Sequence, residues 1–352
     1  MSFVNCRFIP VSVARAAAFG LALTAFVSAA APALGADPIP PGPWMVDLRL
    51  GALLSQSSYS NNWAKGDQGS FSWVANMDFD AERQFSVKFN WDNYLRLAYG
   101  QTGQQVADPD HPGKNSWEPP NKTTDQILAE STGRFTLGGF VDPFIGIRGE
   151  SQFEDESNSY GTLNFNPVRL TETAGLARVF KKSAYTEVAS RLGLGARQTF
   201  GKEFINDGAD KRSFSTNDGG VEWFSTAKLP LVDSTRVVYN GRLLVFAPVF
   251  YSQSDELERF DEAALALDPN HEEVSDFWRV PDVDWQNEFV ARISKVVNVN
   301  LLVHMVYDKY DANTNVAGER PVDELAPLVN GAVRKSAQWR QTLALGLTYQ
   351  IF

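Results

Sequence analysis

Long stretches of this sequence alternate between apolar and polar residues, one residue at a time. In residues 85–92, large apolar side chains occupy the odd positions and polar side chains the even ones. The alternation recurs in 237–243, 285–293 and 341–349. Because successive side chains of a β-strand point to opposite faces, each stretch predicts a strand with one apolar and one polar face. Runs of about ten such residues are long enough for a tilted strand to cross a membrane.

Twelve such strands can be traced, and their connections alternate between short turns of two to five residues and long polar loops. This layout is typical of bacterial outer-membrane barrels. A closed barrel also leaves no sheet edge unpaired in hydrocarbon. We therefore predict an all-β fold, a transmembrane antiparallel up-and-down β-barrel of about 12 strands. The predicted strands are 44–54, 69–79, 83–99, 126–137, 143–149, 170–180, 185–199, 220–229, 235–251, 283–296, 299–307 and 338–352.

The N-terminal segment has the features of an export signal. Residues 1–15 contain two arginines and no acidic residue, and an Ala-rich apolar stretch follows, ending in small residues up to Ala36. This predicts a cleaved signal peptide at 1–36 and a barrel domain at 37–352. A retained anchor helix is the alternative. The single cysteine, Cys6, lies in this segment, so the exported barrel is expected to have no disulfide.

The charge balance narrows the range of partners. With 32 basic and 42 acidic residues the net charge is −10, which disfavours a nucleic-acid partner. The expected partners are outer-membrane lipid and lipopolysaccharide, small polar solutes, and the barrel-insertion machinery through the C-terminal strand. That strand ends in the aromatic Phe352, as outer-membrane barrels often do. Tyr349 lies three residues earlier, so the two rings are expected on opposite strand faces.

Two motifs near the N-terminus carry a family resemblance. The first is SQxSYSxNWxxG at 55–66, and the second is WDNxLxxxYG at 91–100. Together they resemble the signature of a widespread bacterial family of outer-membrane β-barrel proteins without an assigned function. Asp67 replaces a glycine that this family commonly repeats. The resemblance implies a barrel and supplies no activity.

The polar faces of the predicted strands carry charges of both signs. If the apolar faces contact lipid, these charges line the bore, where His304 and Asp284 are also expected. In one interpretation they surround a narrow aqueous pore and set its selectivity. In the other they form ion pairs that fill the bore and stiffen its wall. The predicted pore-lining residues are Lys88, Asp92, Arg96, Glu130, Arg134, Glu187, Arg191, Arg242, Glu288 and Arg292.

The long loop at 252–284 contains a run of acidic residues. Leu257, Phe260, Ala264 and Leu267 have helical spacing, which predicts a short amphipathic helix that folds over or into the mouth of the barrel. The acidic residues form a solvated face or bind divalent cations that bridge lipopolysaccharide. Their spacing does not match an EF-hand loop.

Catalytic motifs are sparse. His111, His271 and His304 have no nucleophile, base and orienting group around them in sequence, so no catalytic residue, metal ligand or cofactor is predicted. We therefore expect a protein that is not an enzyme, with porin-like passage of small polar solutes. The alternative is a non-conducting barrel whose long surface loops serve adhesion, envelope integrity or partner binding. A third reading, an integral outer-membrane hydrolase, would depend on one of the three histidines.

Overall fold

A single antiparallel sheet closes into a barrel. It holds 13 strands, of which β4 (Asn115–Trp117) has only three residues, and the other twelve form the ring. Strand β1 (Met45–Ser57) pairs on one side with β2 (Ser70–Ser86) and on the other with β15 (Gln338–Gln350), the last strand of the chain. Every barrel strand therefore has two neighbours. The predicted antiparallel up-and-down barrel of about 12 strands is confirmed.

This computed structural model describes residues 40–57, 68–108, 115–183, 185–205, 208–232, 234–318 and 320–351. The predicted signal peptide at 1–36, His111 and Phe352 lie outside these residues. The other barrel strands are β3 (Phe89–Ala107), β5 (Asn121–Arg134), β6 (Asp142–Ser151), β9 (Val168–Lys182), β10 (Glu187–Ile205), β11 (Asp210–Val232), β12 (Ser234–Tyr251), β13 (Asp282–Arg292) and β14 (Val297–Tyr307).

The turn between β2 and β3 lies at 87–88, not at 80–82 as the sequence predicts. The alternation continues through this turn because a β-bulge between Gln84 and Ser86 adds one residue to the two-residue connection, so odd positions share a face on both strands. Phe85 and Phe89 therefore lie side by side on neighbouring strands, with ring centroids 6.2 Å apart. Residues 83–99, predicted as one strand, are the end of one strand and the start of the next.

At the opposite end, β10 and β11 continue as one long hairpin. Their pairing runs without interruption from Glu187 opposite Lys228 to Ile205 opposite Asp210. The predicted long loop at 200–219 is thus mostly strand. This hairpin projects from the loop end of the barrel and supports the segments beside it.

Two long connections fold over the loop end. The first, 252–281, contains helix α1 (Ser254–Leu267) and a short 3-10 helix, η1 (Phe277–Arg279). The second, 308–337, contains helix α2 (Val322–Ala332). Together these two segments are called the cap. No helix in the described part of the chain combines the length and apolarity needed to span a membrane. The short strands are β4 (Asn115–Trp117), β7 (Glu154–Asp155) and β8 (Leu163–Asn164).

The cap has an apolar core of its own. Leu257 and Phe260 of α1 pack with Val329 of α2, and all three are almost completely buried. The carboxylate of Asp261 accepts hydrogen bonds from the backbone N–H groups of Val274 (2.9 Å) and Ser275 (2.8 Å). The predicted amphipathic helix is therefore confirmed as α1, although Leu267 at its end is exposed.

The outer surface of the barrel is apolar. Leu192 and Leu194 of β10 alternate with glycines that face the bore, and both leucines are more than half exposed. On β15, Leu343, Leu345 and Leu347 follow the same pattern. Large apolar side chains exposed at every second position are the surface that a transmembrane barrel presents to hydrocarbon.

Candidate functional site

Ion pairs between strands that are not neighbours show which side chains point into the bore. Glu130 of β5 contacts Arg191 of β10, and its other carboxylate oxygen lies 3.7 Å from Arg242 Nη2 of β12. Two strands lie between β5 and β10 along the wall, and four lie between β5 and β12. The contacts must therefore cross the enclosed space, and Glu130 lies at a constriction between two arginines.

One side of the wall, from β5 to β12, is tightly packed and is called the packed half. Arg148 of β6 donates to Glu222 of β11 at 2.6 Å, and their side chains are 4% and 1% exposed. Nearer the loop end, Arg197 Nε donates to Asp218 at 2.8 Å. Arg197 Nη1 donates at 2.7 Å to Asp282, the first residue of the adjoining strand β13. The charges of this half are thus removed from water and compensated in pairs.

Aromatic rings fill the space between these pairs. The guanidinium of Arg197 lies 3.7 Å from the ring centroid of Phe246, and that of Arg191 lies 4.2 Å from the centroid of Phe224. Gly195 leaves room for Phe246, because a Cβ at this position would lie 3.1 Å from the ring. Cation–π contacts of this kind add to the attraction within a desolvated cluster.

The other side of the wall, β13 to β15 with β1 to β3, is more open and is called the open half. Arg49 of β1 donates to Asp80 of β2 at 2.6 Å, and their side chains are 34% and 39% exposed. Arg96 Nε lies 3.8 Å from Asp78. On β13, Asp284 accepts from His304 at 3.0 Å and is 36% exposed. These pairs face solvent inside the barrel from near the turn end to near the loop end.

The ten predicted pore-lining residues fall into two groups. Arg96, Glu130, Arg191 and Arg242 carry the ion pairs within the bore, and Glu288 accepts a hydrogen bond from Asn240 at 3.1 Å. Asp92 lies on the lumenal face of β3, opposite Glu82 and Thr132. The remaining four lie at the turn end of the barrel: Lys88 in an exposed turn, Arg134 and Arg292 at strand ends, and Glu187 at a strand start, 3.8 Å from Lys182.

Several residues of the bore were not among the predicted set. Arg148 follows Ile145 and Ile147, whose exposed side chains mark the outer face, so strict alternation would have placed it inside. Asp218 lies in the segment predicted as loop, where no face could be assigned. Arg340 of β15 lies opposite His304 on the lumenal face.

The cap is anchored to the packed half. The side-chain oxygen of Asn313 accepts from Thr199 at 2.9 Å and from Arg169 at 3.2 Å, and Thr216 donates to the carbonyl of Ala312 at 2.8 Å. The segment at 308–318 therefore covers the mouth above strands β9 to β11. The mouth above the open half has no equivalent anchor among the hydrogen bonds of the described residues.

One carboxyl group at this junction has a strongly altered pKa. Burial raises the pKa of Asp308 to about 8, and repulsion from Asp282 and Asp311 acts in the same direction. The guanidinium groups of Arg169 and Arg197 partly oppose the shift. Around neutral pH, Asp308 therefore remains largely protonated where the cap meets the barrel.

The histidines in the described part of the chain serve structural hydrogen bonds. His304 pairs with Asp284, as expected for a lumenal position, and His271 pairs with Asp261 at 2.9 Å inside the cap. Across the described ranges, no cluster of three or more His, Cys, Asp or Glu side chains could hold a metal ion. The geometry is that of a charged bore with a folded cap.

Residues 54–156 match the profile of a family described as "Protein of unknown function (DUF3078)". The match includes both motifs of the predicted resemblance, which is thereby confirmed for this segment, less than a third of the chain. The family description assigns no activity. A comparison with curated proteins found no match.

Solved structures similar to this chain include outer-membrane barrels. The COG4313 outer membrane channel from Pseudomonas putida F1 is 10% identical, with a TM-score of 0.39 over 92% of this chain and 99% of that one. The translocator domain of the autotransporter NalP from Neisseria meningitidis is 9% identical, with a TM-score of 0.34 over 96% and 97%. The CymD monoaromatic hydrocarbon channel is 9% identical, with a TM-score of 0.26 over 92% of both chains.

Proposed function

We propose that this protein lies in the bacterial outer membrane and lets small polar solutes pass through a narrow, charged bore. The observation that carries the proposal is the open half. Its charged pairs are about one-third exposed at Arg49, Asp80 and Asp284, which lie near opposite ends of the bore. Charged side chains that stay exposed near both ends of the bore favour an aqueous path between them.

The proposed membrane location rests on the apolar outer surface of the barrel. Exposed leucines alternate with lumenal residues along β10 and β15. Contact of this surface with water is unfavourable, whereas contact with the hydrocarbon of a bilayer is favourable. We propose that a cleaved signal at 1–36 directs export. The apolar outer face of β15, which includes Leu343, Leu347 and Tyr349, is the surface offered to outer-membrane lipid and to the insertion machinery.

The bore is narrow because side chains cross it. Glu130 holds Arg191 and Arg242 from the opposite wall, so solutes must pass between this bridge and the open half. Charges of both signs line that passage, which suits small polar molecules and hydrated ions and does not favour one sign strongly.

Single-channel recording in planar bilayers tests this function. The purified protein should give small ohmic conductance steps. R242A removes one arm of the cross-bore bridge and should increase the step size, whereas the control R279A, on the surface of the cap, should leave it unchanged. Charge reversal at Arg242 should also shift ion selectivity. Absence of any steps, together with absence of solute uptake in liposomes, would count against the proposal.

A non-conducting barrel that presents its loops is the second candidate. Two observations favour it: the packed half holds buried ion pairs, and the cap is a folded unit with its own core. In this function the barrel anchors the cap for adhesion, envelope integrity or partner binding. This second function would be supported if the loops bound a ligand while the bore conducted no ions. Neither candidate involves catalysis, and we assign none.

A further inference from the structure

The cap contains a cavity of about 380 Å³ between α1 and the segment leading into α2. Small-molecule sites typically range from about 300 to 1,000 Å³. The cavity opens at the loop end, outside the bore. A ligand bound there would be reached from the outer surface without passing the constriction.

The floor of this cavity is apolar and rigid. Phe260 of α1, Val316, and Leu325 of α2 line it, with exposures of 3%, 1% and 6%. All three also belong to the core of the cap, so their positions are fixed by packing on the far side. Such a floor favours the apolar part of a ligand by about 0.8 kcal/mol for each buried CH₂.

The rim of the cavity carries two arginines, Arg259 and Arg320, and each is paired with a carboxylate. Glu256 also lines the rim and lies 3.4 Å from Arg259 Nη2. Arg320 donates from Nη2 to Glu203 at 3.1 Å. A guanidinium has five N–H donors, so both arginines keep donors for a further acceptor.

We propose that this cleft, lined by Arg259, Arg320 and the apolar floor, binds a small organic monocarboxylate with an apolar body. The carboxylate accepts charge-assisted hydrogen bonds from the guanidinium groups, which suit its planar geometry. The apolar body rests on Phe260, Val316 and Leu325. A purely polar anion lacks the contact with the apolar floor, and a neutral analogue lacks the charge-assisted hydrogen bonds to the arginines.

Isothermal titration calorimetry on the full chain in lipid nanodiscs tests the site, with empty nanodiscs as the blank. The ligands are 3-methylbutanoate, the neutral 3-methylbutan-1-ol, and acetate. We expect saturable binding of 3-methylbutanoate and at least about tenfold weaker binding of the other two, because each lacks one set of contacts. Absence of saturable heat for 3-methylbutanoate, or equal affinity for the alcohol, would overturn the proposal.

Two variants test the location without disturbing the core. R259Q removes a rim charge that is 65% exposed, and A263L fills the cavity from an exposed position on α1. Each should weaken binding of 3-methylbutanoate by about tenfold or more. The control R279Q changes a cap arginine that pairs with Asp276 and does not line the cavity. Wild-type affinity in A263L, or an equal loss in R279Q, would overturn the site. Conductance of the bore does not enter either measurement.

Discussion

The two halves of the bore use the same chemistry with different degrees of burial. In the packed half, Arg148 and Glu222 are 4% and 1% exposed. In the open half, Arg49 and Asp80 make an ion pair of the same length, 2.6 Å, at 34% and 39% exposure. Both walls carry pairs of arginine and carboxylate, and in the packed half aromatic rings such as Phe224 and Phe246 fill the space around them.

This difference separates structural charges from functional ones. A buried pair must be kept intact, because either partner alone would be an uncompensated charge in a low-dielectric interior. A hydrated pair stabilises the fold little and remains free to exchange partners with water or solutes. The packed half is therefore a filled wall, and the open half is the surface along which we propose that solutes move.

The largest expected effect comes from breaking one pair in each half. R148A leaves Glu222 buried without its partner and should reduce the free energy of unfolding by about 3–5 kcal/mol. R49A, in the open half, should reduce it by about 1 kcal/mol or less. Urea-dependent unfolding in lipid vesicles, followed by Trp fluorescence, measures both. Similar losses in the two variants would remove the distinction between the halves.

Much of this architecture could be predicted from the sequence because the alternation of apolar and polar residues shows directly which side chains share a strand face. On β15 every second residue is apolar, and all of Leu343, Leu345 and Leu347 face outward. Arg96, Glu130, Arg191 and Arg242 could be placed in the bore by the same rule. The ion-pair partners of these residues could not be predicted. Glu130 contacts arginines across the bore, and which residues face each other there depends on how the strands are shifted relative to one another in the closed sheet.

Two segments show where alternation misleads. Through the turn at 87–88 the pattern continues unbroken, so sequence cannot distinguish one long strand from a tight hairpin. In β10 and β11 the hairpin continues through 200–205 and 210–219, where apolar and polar residues no longer alternate regularly. The cap cavity was also beyond prediction, because it needs α1 and the segment before α2 to come together.

The second prediction tests whether the contrast is confined to the inner surface. Leu194 in the packed half and Leu343 in the open half are 73% and 66% exposed on the outer face. L194R and L343R should each cost about 2–4 kcal/mol, because both place a charge in hydrocarbon. The same vesicle unfolding assay measures them, with T342R, which faces the bore, as the tolerated control. A large difference between L194R and L343R would mean that the two halves also differ on the outside.

The third prediction concerns pH at the junction of cap and packed half. The pKa of Asp308 is raised to about 8 in the folded protein and returns to about 3.9 when the cap unfolds. Between these values the folded cap retains a proton that the unfolded cap has lost. The stability of the cap therefore falls as the pH rises from about 4 to about 8, by up to about tenfold per pH unit in its opening equilibrium.

Hydrogen exchange of the amides of α2 measures that opening. D308N keeps a neutral side chain at every pH, so the ratio of wild-type to D308N exchange should rise from pH 4 to 8 and then level off. Taking this ratio cancels the intrinsic pH dependence of exchange. A ratio that stays constant would show that Asp308 titrates alike in the folded and unfolded cap.

The smallest effect, and the most specific to the open half, is on ion selectivity. Arg96 is 28% exposed and its Nε lies 3.8 Å from Asp78, so the side chain is partly exposed in the bore and only loosely paired. R96E changes the local charge by two units, which near a passing ion in water amounts to about 1 kcal/mol and a few-fold shift of the K⁺/Cl⁻ permeability ratio toward K⁺. Reversal potentials in a salt gradient measure this ratio.

The shift should be clear near 0.1 M salt and mostly lost near 1 M, where screening acts within about 3 Å. An equal shift in R279E, on the cap, would place the selective charges outside the bore, and an unchanged ratio in R96E would mean that ions do not move along the open half.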